Sequence, residues 1–120
     1  MSDKLKNHKD LECWKTSMDF VDDVYLLTKK FPKEELYGLS SQLRRSAISI
    51  PSNIAEGAGR KNPAEFIQFL HIALGSLSES ETQLLIAERQ GYLKLDPGIS
   101  EKLTTIKKTI NGLIAYLRNK

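Results

Sequence analysis

This chain of 120 residues has very little of the chemistry that catalysis and metal binding require. It contains one cysteine, Cys13, and two histidines, His8 and His71. A single cysteine excludes an intrachain disulfide, and no two of these three residues have the spacing of metal ligands. No motif joins Cys13 to a basic partner. We therefore interpret Cys13 as a small, partly buried residue near a helix start, and we expect no metal and no cofactor.

Long apolar runs are also absent from the sequence. No run approaches the ~20 residues that a bilayer-spanning helix needs, and the first ten residues lack the apolar core of a signal peptide. The sequence therefore predicts a cytoplasmic protein without membrane contact. Its length suits one compact domain.

Acid–base catalysis has little support in the sequence. Glu79 and Glu81, like Asp22 and Asp23, are too close in sequence to face one direction on a helix. No Glu-x-x-His pair of the di-iron bundles occurs, and Gly57-Ala-Gly59 before a helix start indicates a turn, not a phosphate-binding loop. We expect no enzymatic activity, no catalytic residue and no small-molecule substrate.

The sequence instead contains four segments with helical periodicity and no alternation of period two. In the first segment, apolar or semi-polar residues recur at steps of three and four, which predicts a bundle seam. A second apolar row on the same helix exceeds what a four-helix core requires, and we expect it to face another subunit. Pro32 ends this helix. The seam comprises Leu11, Trp14, Met18, Val21, Tyr25 and Thr28, and the second row comprises Phe20, Val24, Leu27 and Phe31.

Proline, glycine and capping residues delimit the other three helices. The second helix is predicted from about Leu39 to Glu56, with a kink or break at Pro51. Asn62-Pro63 and Asp96-Pro97 each place a capping residue before a proline, which predicts the starts of the third and fourth helices. The fold class is therefore all-α, an antiparallel up-down four-helix bundle over residues 11–120. We expect residues 1–10 to be frayed.

Charge alternates between these segments. The second and fourth segments are basic, whereas the first and third are acidic. Two explanations stay open: attraction between neighbouring antiparallel helices, or a basic surface for nucleic acid. The candidate phosphate-binding residues are Arg44, Arg45, Arg60, Lys61, Lys107 and Lys108. Most of the few aromatic residues lie on predicted core stripes, so base stacking is not expected.

A polar stripe runs along the second helix beside its apolar stripe. Pairing the second and third helices as a hairpin brings a second polar stripe opposite it and favours a contact from Arg44 or Arg45 to Glu79. Three interpretations stay open: an internal network that fixes helix register, a subunit interface, or direct contact with a ligand or nucleic acid. The two stripes comprise Arg45, Ser49, Asn53, Glu56, Ser76, Glu79 and Gln83.

Several motifs resemble those of a known family. Phe31-Pro-Lys-Glu-Glu-Leu-Tyr-Gly-Leu39, Gln42-Leu-Arg-Arg45, Ser49-Ile-Pro-Ser-Asn-Ile-Ala-Glu-Gly57 and Ala73-Leu-Gly-Ser-Leu-Ser-Glu79 are similar to segments of the four-helix bundle proteins encoded by intervening sequences of large-subunit (23S) ribosomal RNA genes. The resemblance extends from about Leu11 to Leu117. It implies a ring-like homo-oligomer, and we expect a pentamer. It also implies a likeness in fold to the accessory variability determinant of diversity-generating retroelements, a basic pentamer that binds nucleic acid and a reverse transcriptase.

Two functions from different classes follow from these observations. The first is a homo-oligomeric protein that binds structured RNA, or a nucleic-acid-processing partner, through a basic surface without reading sequence. The second is a structural or protein-interaction scaffold with no nucleic-acid role. Burial of Arg44 and Arg45 would favour the second function.

Overall fold

The computed structural model describes residues 7–119, which contain four α-helices and no β-strand. The helices are α1 (Glu12–Thr28), α2 (Leu39–Ala58), α3 (Pro63–Arg89) and α4 (Pro97–Arg118). Two 3₁₀ turns, His8–Asp10 and Lys33–Glu35, precede α1 and α2. Of the ten residues that we expect to be frayed, residues 1–6 lie outside the described residues.

Local chemistry sets the helix boundaries. Asn62 Oδ1 accepts a hydrogen bond from the Glu65 N–H at 2.9 Å, and Asp96 Oδ1 accepts one from the Ile99 N–H at 3.0 Å. Each cap satisfies a free amide of the first helical turn, and the proline that follows needs no such partner. Gly91, after α3, has φ of +82°, a conformation that favours glycine. The predicted starts of α3 and α4 are therefore confirmed.

Helix α2 continues through Pro51 and ends at Ala58, two residues beyond the predicted end. Pro51 is buried. Of the expected kink or break, the break does not occur, since α2 is continuous from Leu39 to Ala58.

The apolar stripes of α2, α3 and α4 form one core. Apolar residues that recur at helical spacing predict these stripes, and every one of them is buried except Leu113, which packs half-buried against the core beside the buried Ile114. The stripes comprise Leu43, Ala47, Ile50 and Ile54 in α2, Phe66, Leu70, Ala73, Leu77, Leu84 and Ala87 in α3, and Ile99, Leu103, Ile106, Ile110, Leu113 and Leu117 in α4. Helix α1 packs on α2 and α4, and α3 packs on the same two helices, so the bundle is closed. The bundle measures 46 × 26 × 18 Å. In residues 7–119, no helix combines the length and the hydropathy that crossing a membrane would require.

The prediction for α1 is wrong about which row faces the core. Phe20 and Val24 of the second row are fully buried, whereas Met18 of the predicted seam is 41% exposed. The core face of α1 is completed by Cys13 and Ser17, small residues that hydropathy alone does not mark as core. Ser17 Oγ donates to the Trp14 carbonyl at 2.9 Å, and this bond removes most of the cost of burying its hydroxyl. The row that we expected to face another subunit is therefore the core row.

Candidate nucleic-acid interface

Two polar clusters join α2 to α3 along the predicted hairpin. In the first, Ser76 Oγ donates to Ser49 Oγ at 2.8 Å, and Asn53 Nδ2 donates to the carbonyl and the hydroxyl oxygen of Ser49 at 2.8 and 2.9 Å. Ser49 thus joins the predicted stripe residues Asn53 and Ser76. Its bond with Ser76 connects α2 to α3, and its bonds with Asn53 lie within α2.

The second cluster includes two residues that sequence reasoning missed, Ser46 and Ser80. Ser46 Oγ lies 2.7 Å from Ser80 Oγ and 2.8 Å from Gln83 Oε1, and all three residues are buried. Gln83 Nε2 donates to Glu79 Oε2 at 3.3 Å. Helical spacing could have identified both residues. Ser46 lies three residues before Ser49, and Ser80 lies four residues after Ser76, so each continues a predicted polar stripe. No buried side-chain polar atom of residues 7–119 lacks a hydrogen-bond partner, so this polar contact costs little on folding.

Arg44 and Arg45 do not make the expected contact with Glu79. Arg44 instead reaches α1, where its Nε donates to Thr28 Oγ1 at 2.8 Å and its guanidinium carbon lies 4.7 Å from the centroid of the Tyr25 ring. Arg45 is exposed and has no hydrogen bond or ion pair within the described part of the chain. The helical rotation explains both placements. Ser46 lies opposite Ser80 of α3, and the turn of about 100° per residue directs Arg45 and Arg44, one and two positions earlier, to other sides of α2.

Arg60 and Lys61, beside the α2–α3 turn, differ in their surroundings. Arg60 Nη2 lies 2.7 Å from Glu56 Oε2, Nη1 lies 3.8 Å from Glu65 Oε1, and the guanidinium stacks 4.8 Å from the centroid of the Phe69 ring. Glu56 therefore pairs with Arg60 and not with the polar stripe. Lys61 is exposed and makes no ion pair with any residue of 7–119.

The outer face of α4 carries unpaired positive charge. Lys107, Lys108 and Arg118 are exposed, and Glu101 is the last acidic residue of the sequence. Lys102, one turn nearer the helix start, differs because its Nζ lies 2.6 Å from Asp23 Oδ2 of α1. That hydrogen bond raises the pKa of Lys102 above its usual value. The cations of α4 beyond Lys102 make no ion pair with other described residues.

The six predicted cations therefore lie on separate parts of the surface. Arg44 lies against α1, and Arg45 is exposed on α2. Arg60 and Lys61 lie beside the α2–α3 turn, and Lys107 and Lys108 lie on α4, which packs against α1 and α3. One copy of the chain does not combine them into one patch.

A shallow apolar groove lies between α1 and α2. Its lining comes from both helices and includes Trp14, Met18 and Val21 of the predicted α1 seam. Met18 and Ile48 are both exposed. The lining comprises Trp14, Met18, Val21, Ile48, Pro51, Ser52 and Ala55.

The described side chains offer little support for a reactive thiol or a metal site. Burial raises the pKa of the Cys13 thiol to about 11, so the thiol is protonated at neutral pH and is a poor nucleophile. Among residues 7–119, no group of three or more His, Cys, Asp and Glu side chains is placed to hold a metal ion.

These features define an all-α, antiparallel four-helix bundle with a polar α2–α3 contact and a basic outer face on α4. The model of the 23S rRNA-intervening sequence protein family matches residues 9–115. The chain belongs to this family. No functionally curated protein matches it.

A solved structure has a similar fold. It is a protein of unknown function from the S23 ribosomal protein family of Bacteroides thetaiotaomicron, 26% identical to this chain. The similarity covers 88% of this chain and 94% of that one, with a TM-score of 0.63.

Proposed function

We propose that this protein is a homo-oligomeric, non-enzymatic scaffold that binds structured RNA through the outer face of α4. The observation that carries the proposal is the charge of that face. Lys107, Lys108 and Arg118 are exposed over a stretch of helix that contains no acidic residue. Lys107 shares a groove with Glu81 of α3 but forms no ion pair with it.

Phosphate contact is the interaction that such a face supports best. Lysine side chains on a helix surface bind phosphates as point charges and read no base sequence. Double-stranded RNA is recognised mainly through its shape, its phosphates and its 2′-hydroxyl groups, because its deep major groove excludes side chains. An exposed helix surface with three cations fits that mode of recognition.

Self-association would strengthen this weak positive field. The whole chain has a net charge of only +3, and a homo-oligomer places one α4 face per copy on a common particle. The α1–α2 groove is the surface that self-association would cover, because it exposes Met18 and Ile48. The family resemblance implies a pentamer.

A binding titration with a fluorescein-labelled RNA hairpin of about 20 base pairs tests RNA binding. We expect log K to fall linearly with log salt concentration, and Lys107→Gln/Lys108→Gln to reduce that slope by about two. Lys9→Gln/Lys15→Gln, which removes the same charge from exposed positions outside α4, serves as the matched control. No binding at low salt, affinity that ignores salt, or equal losses in both variants would overturn the proposal.

Light scattering at several protein concentrations tests the oligomer independently. We expect a stable assembly for the wild-type chain and dissociation on Met18→Glu, because a carboxylate in an apolar contact must be desolvated. A concentration-independent monomer would contradict the proposed assembly.

The protein-interaction scaffold remains the second candidate, and the α1–α2 groove is the observation that favours it. Arg44 and Arg45 support different functions. Arg44 is used inside the bundle, as the scaffold function requires, whereas Arg45 is free for an external partner. An assembly that is unaffected by RNA, together with failure of the hairpin titration, would favour the scaffold.

A further inference from the structure

The connector between α1 and α2 presents an aromatic ring to solvent. Tyr37 is 93% exposed, and the preceding Leu36 is 48% exposed. No hydrogen bond or ring contact to Tyr37 occurs within residues 7–119. Because most aromatic residues lie on predicted core stripes, the sequence does not predict base stacking. Tyr37 is an exception, since it contributes nothing to the core.

The backbone that carries Tyr37 is nevertheless fixed on both sides. Glu35 Oε1 accepts the Leu39 N–H at 3.1 Å, and Glu35 Oε2 accepts the Tyr92 hydroxyl at 2.9 Å. The rings of Phe31 and Tyr92 are 5.5 Å apart. The α1–α2 connector is therefore anchored to the α3–α4 connector, and the ring of Tyr37 projects from a constrained turn.

Unpaired lysines precede this ring in the sequence. Lys29, Lys30 and Lys33 are exposed, and none of them forms an ion pair with a described residue. Lys29 and Lys30 follow α1, where the helix dipole favours cations, which accounts for two of the three lysines. It accounts neither for Lys33 nor for the exposed ring.

Most acidic residues at this end of the bundle accept hydrogen bonds from other residues of the chain. Glu88 Oε2 accepts the Leu95 N–H at 3.0 Å, and Asp96 caps α4. Glu35 makes the two bonds described above, so only Glu34 is exposed without a hydrogen bond inside the described chain. Arg89 and Lys94 of the facing connector add two exposed cations.

We infer that Tyr37, Lys29, Lys30 and Lys33 form a platform for single-stranded RNA, with an unpaired base stacked on the Tyr37 ring and phosphates at the lysines. We refer to these four residues as the connector platform. Stacking on an aromatic ring tolerates any base, because every base has a π-face, and the lysines attract the backbone. The inference rests on the proposed affinity for RNA but assigns unpaired RNA to a surface distinct from α4.

Fluorescence anisotropy with a labelled single-stranded RNA of ten adenosines tests the platform in the full-length protein. We expect Tyr37→Ala to weaken binding by about 5- to 150-fold, the range equivalent to stacking of one base. Tyr37→Phe keeps the ring and should bind like the wild type. Both variants should unfold at the wild-type temperature, since the side chain has no partner in the fold to lose.

A second probe separates this inference from the proposed function. A blunt-ended RNA duplex, which has no unpaired loop base to stack on the ring, should bind Tyr37→Ala as it binds the wild type. The variant Lys107→Gln/Lys108→Gln should lose more affinity for this duplex than for the single strand. Equal single-strand affinity for Tyr37→Ala and the wild type would overturn the platform alone. Loss of assembly in Tyr37→Ala by light scattering, without loss of single-strand affinity, would assign the ring to a protein contact and also overturn it. Absence of wild-type binding to both probes would overturn both proposals.

Discussion

The two ends of the bundle hold their charged side chains in opposite ways. At the turn end, formed by the α2–α3 turn, Arg60 is paired with Glu56 and Glu65 and lies on the Phe69 ring. At the connector end, formed by residues 29–39 and 89–97, an acidic residue is the internal bridge and the lysines are left unpaired. Glu35 there bonds both Leu39 and Tyr92.

This difference shows why a count of cations does not locate a binding surface. Arg60 is one of the six candidate phosphate-binding residues of the sequence, yet its guanidinium is paired with neighbours that are four and five residues away in the chain. Lys33 is not among those candidates, yet it is exposed, makes no ion pair with a described residue and precedes the exposed Tyr37 by four positions. Whether a charge is available to a partner depends on which side chains the turn brings to it.

The largest effect is expected from adding a side chain at Gly57, where α2 lies close to α3 at the turn end. A Cβ at Gly57 would lie 2.8 Å from Phe66 Cδ1 and 2.8 Å from Phe69 Cβ. Gly57→Ala should therefore lower the free energy of unfolding by about 1–3 kcal/mol, because α2 and α3 must separate. Urea denaturation measures this loss.

Gly75→Ala in α3 is the matched control. Apart from the adjoining residues and the backbone of α3 itself, no atom lies within 4 Å of the added Cβ. This variant should therefore gain about 0.4–1 kcal/mol from the lower entropy of the unfolded chain. A similar free energy of unfolding for the two variants would remove the evidence for tight packing at the turn end.

A smaller effect is expected from removing the Glu35 carboxylate, which bridges Leu39 and Tyr92 at the connector end. Glu35→Ala removes the side-chain acceptor of the Leu39 N–H at the start of α2, and loss of such a cap costs about 0.5–2 kcal/mol. Glu34→Ala, in the same turn, should change the free energy of unfolding by less than about 0.5 kcal/mol. Equal losses in the two variants would show that the bridge does not anchor the connector.

Glu35→Ala should also alter the pH dependence of stability in the alkaline range. The hydrogen bond to Glu35 raises the pKa of Tyr92 above its ordinary value of 10.0. Because the folded pKa lies above the unfolded one, the stabilisation is complete below pH 10 and is lost as the pH rises through the folded value. Urea denaturation across this range should show a steeper decline for the wild type than for Glu35→Ala. Parallel declines would contradict this role of Glu35.

The smallest effect is expected for the paired cation of the turn end. Arg60→Gln should cost about 0.5–1 kcal/mol, because its ion pairs are exposed and its stacking on Phe69 adds little more. Lys61→Gln, at the neighbouring exposed position, should be neutral within about 0.5 kcal/mol. Thermal unfolding of the two variants measures the contrast. A neutral Arg60→Gln would mean that Arg60 is as free for a partner as Lys61.

The helices were predictable from the sequence because their signals are local. Asn62-Pro63 and Asp96-Pro97 act through backbone amides within three residues, and the stripes of α2, α3 and α4 repeat at helical spacing. Helix α1 was not predictable in the same way. It carries two apolar rows, and its core face includes Cys13 and Ser17, which only the packing of the other helices identifies.

The candidate sites were predictable only in part. Ser49, Asn53 and Ser76 are brought together as the stripes suggest, but the partners of Ser46 and of the two arginines depend on the register of α2 on α3. A shift of one residue turns a helical side chain by about 100°, so the register decides whether Arg44 or Arg45 faces a neighbouring helix.

The sequence by itself determined the all-α fold, three of the four core faces and the family, because helical periodicity, caps and motifs are properties of neighbouring residues. The tertiary structure alone decided which face of α1 is buried, which cations are paired and that Tyr37 stands free. These outcomes depend on distances between residues far apart in the chain. Arg44 meets Thr28 and Glu35 meets Tyr92 only after the helices have packed.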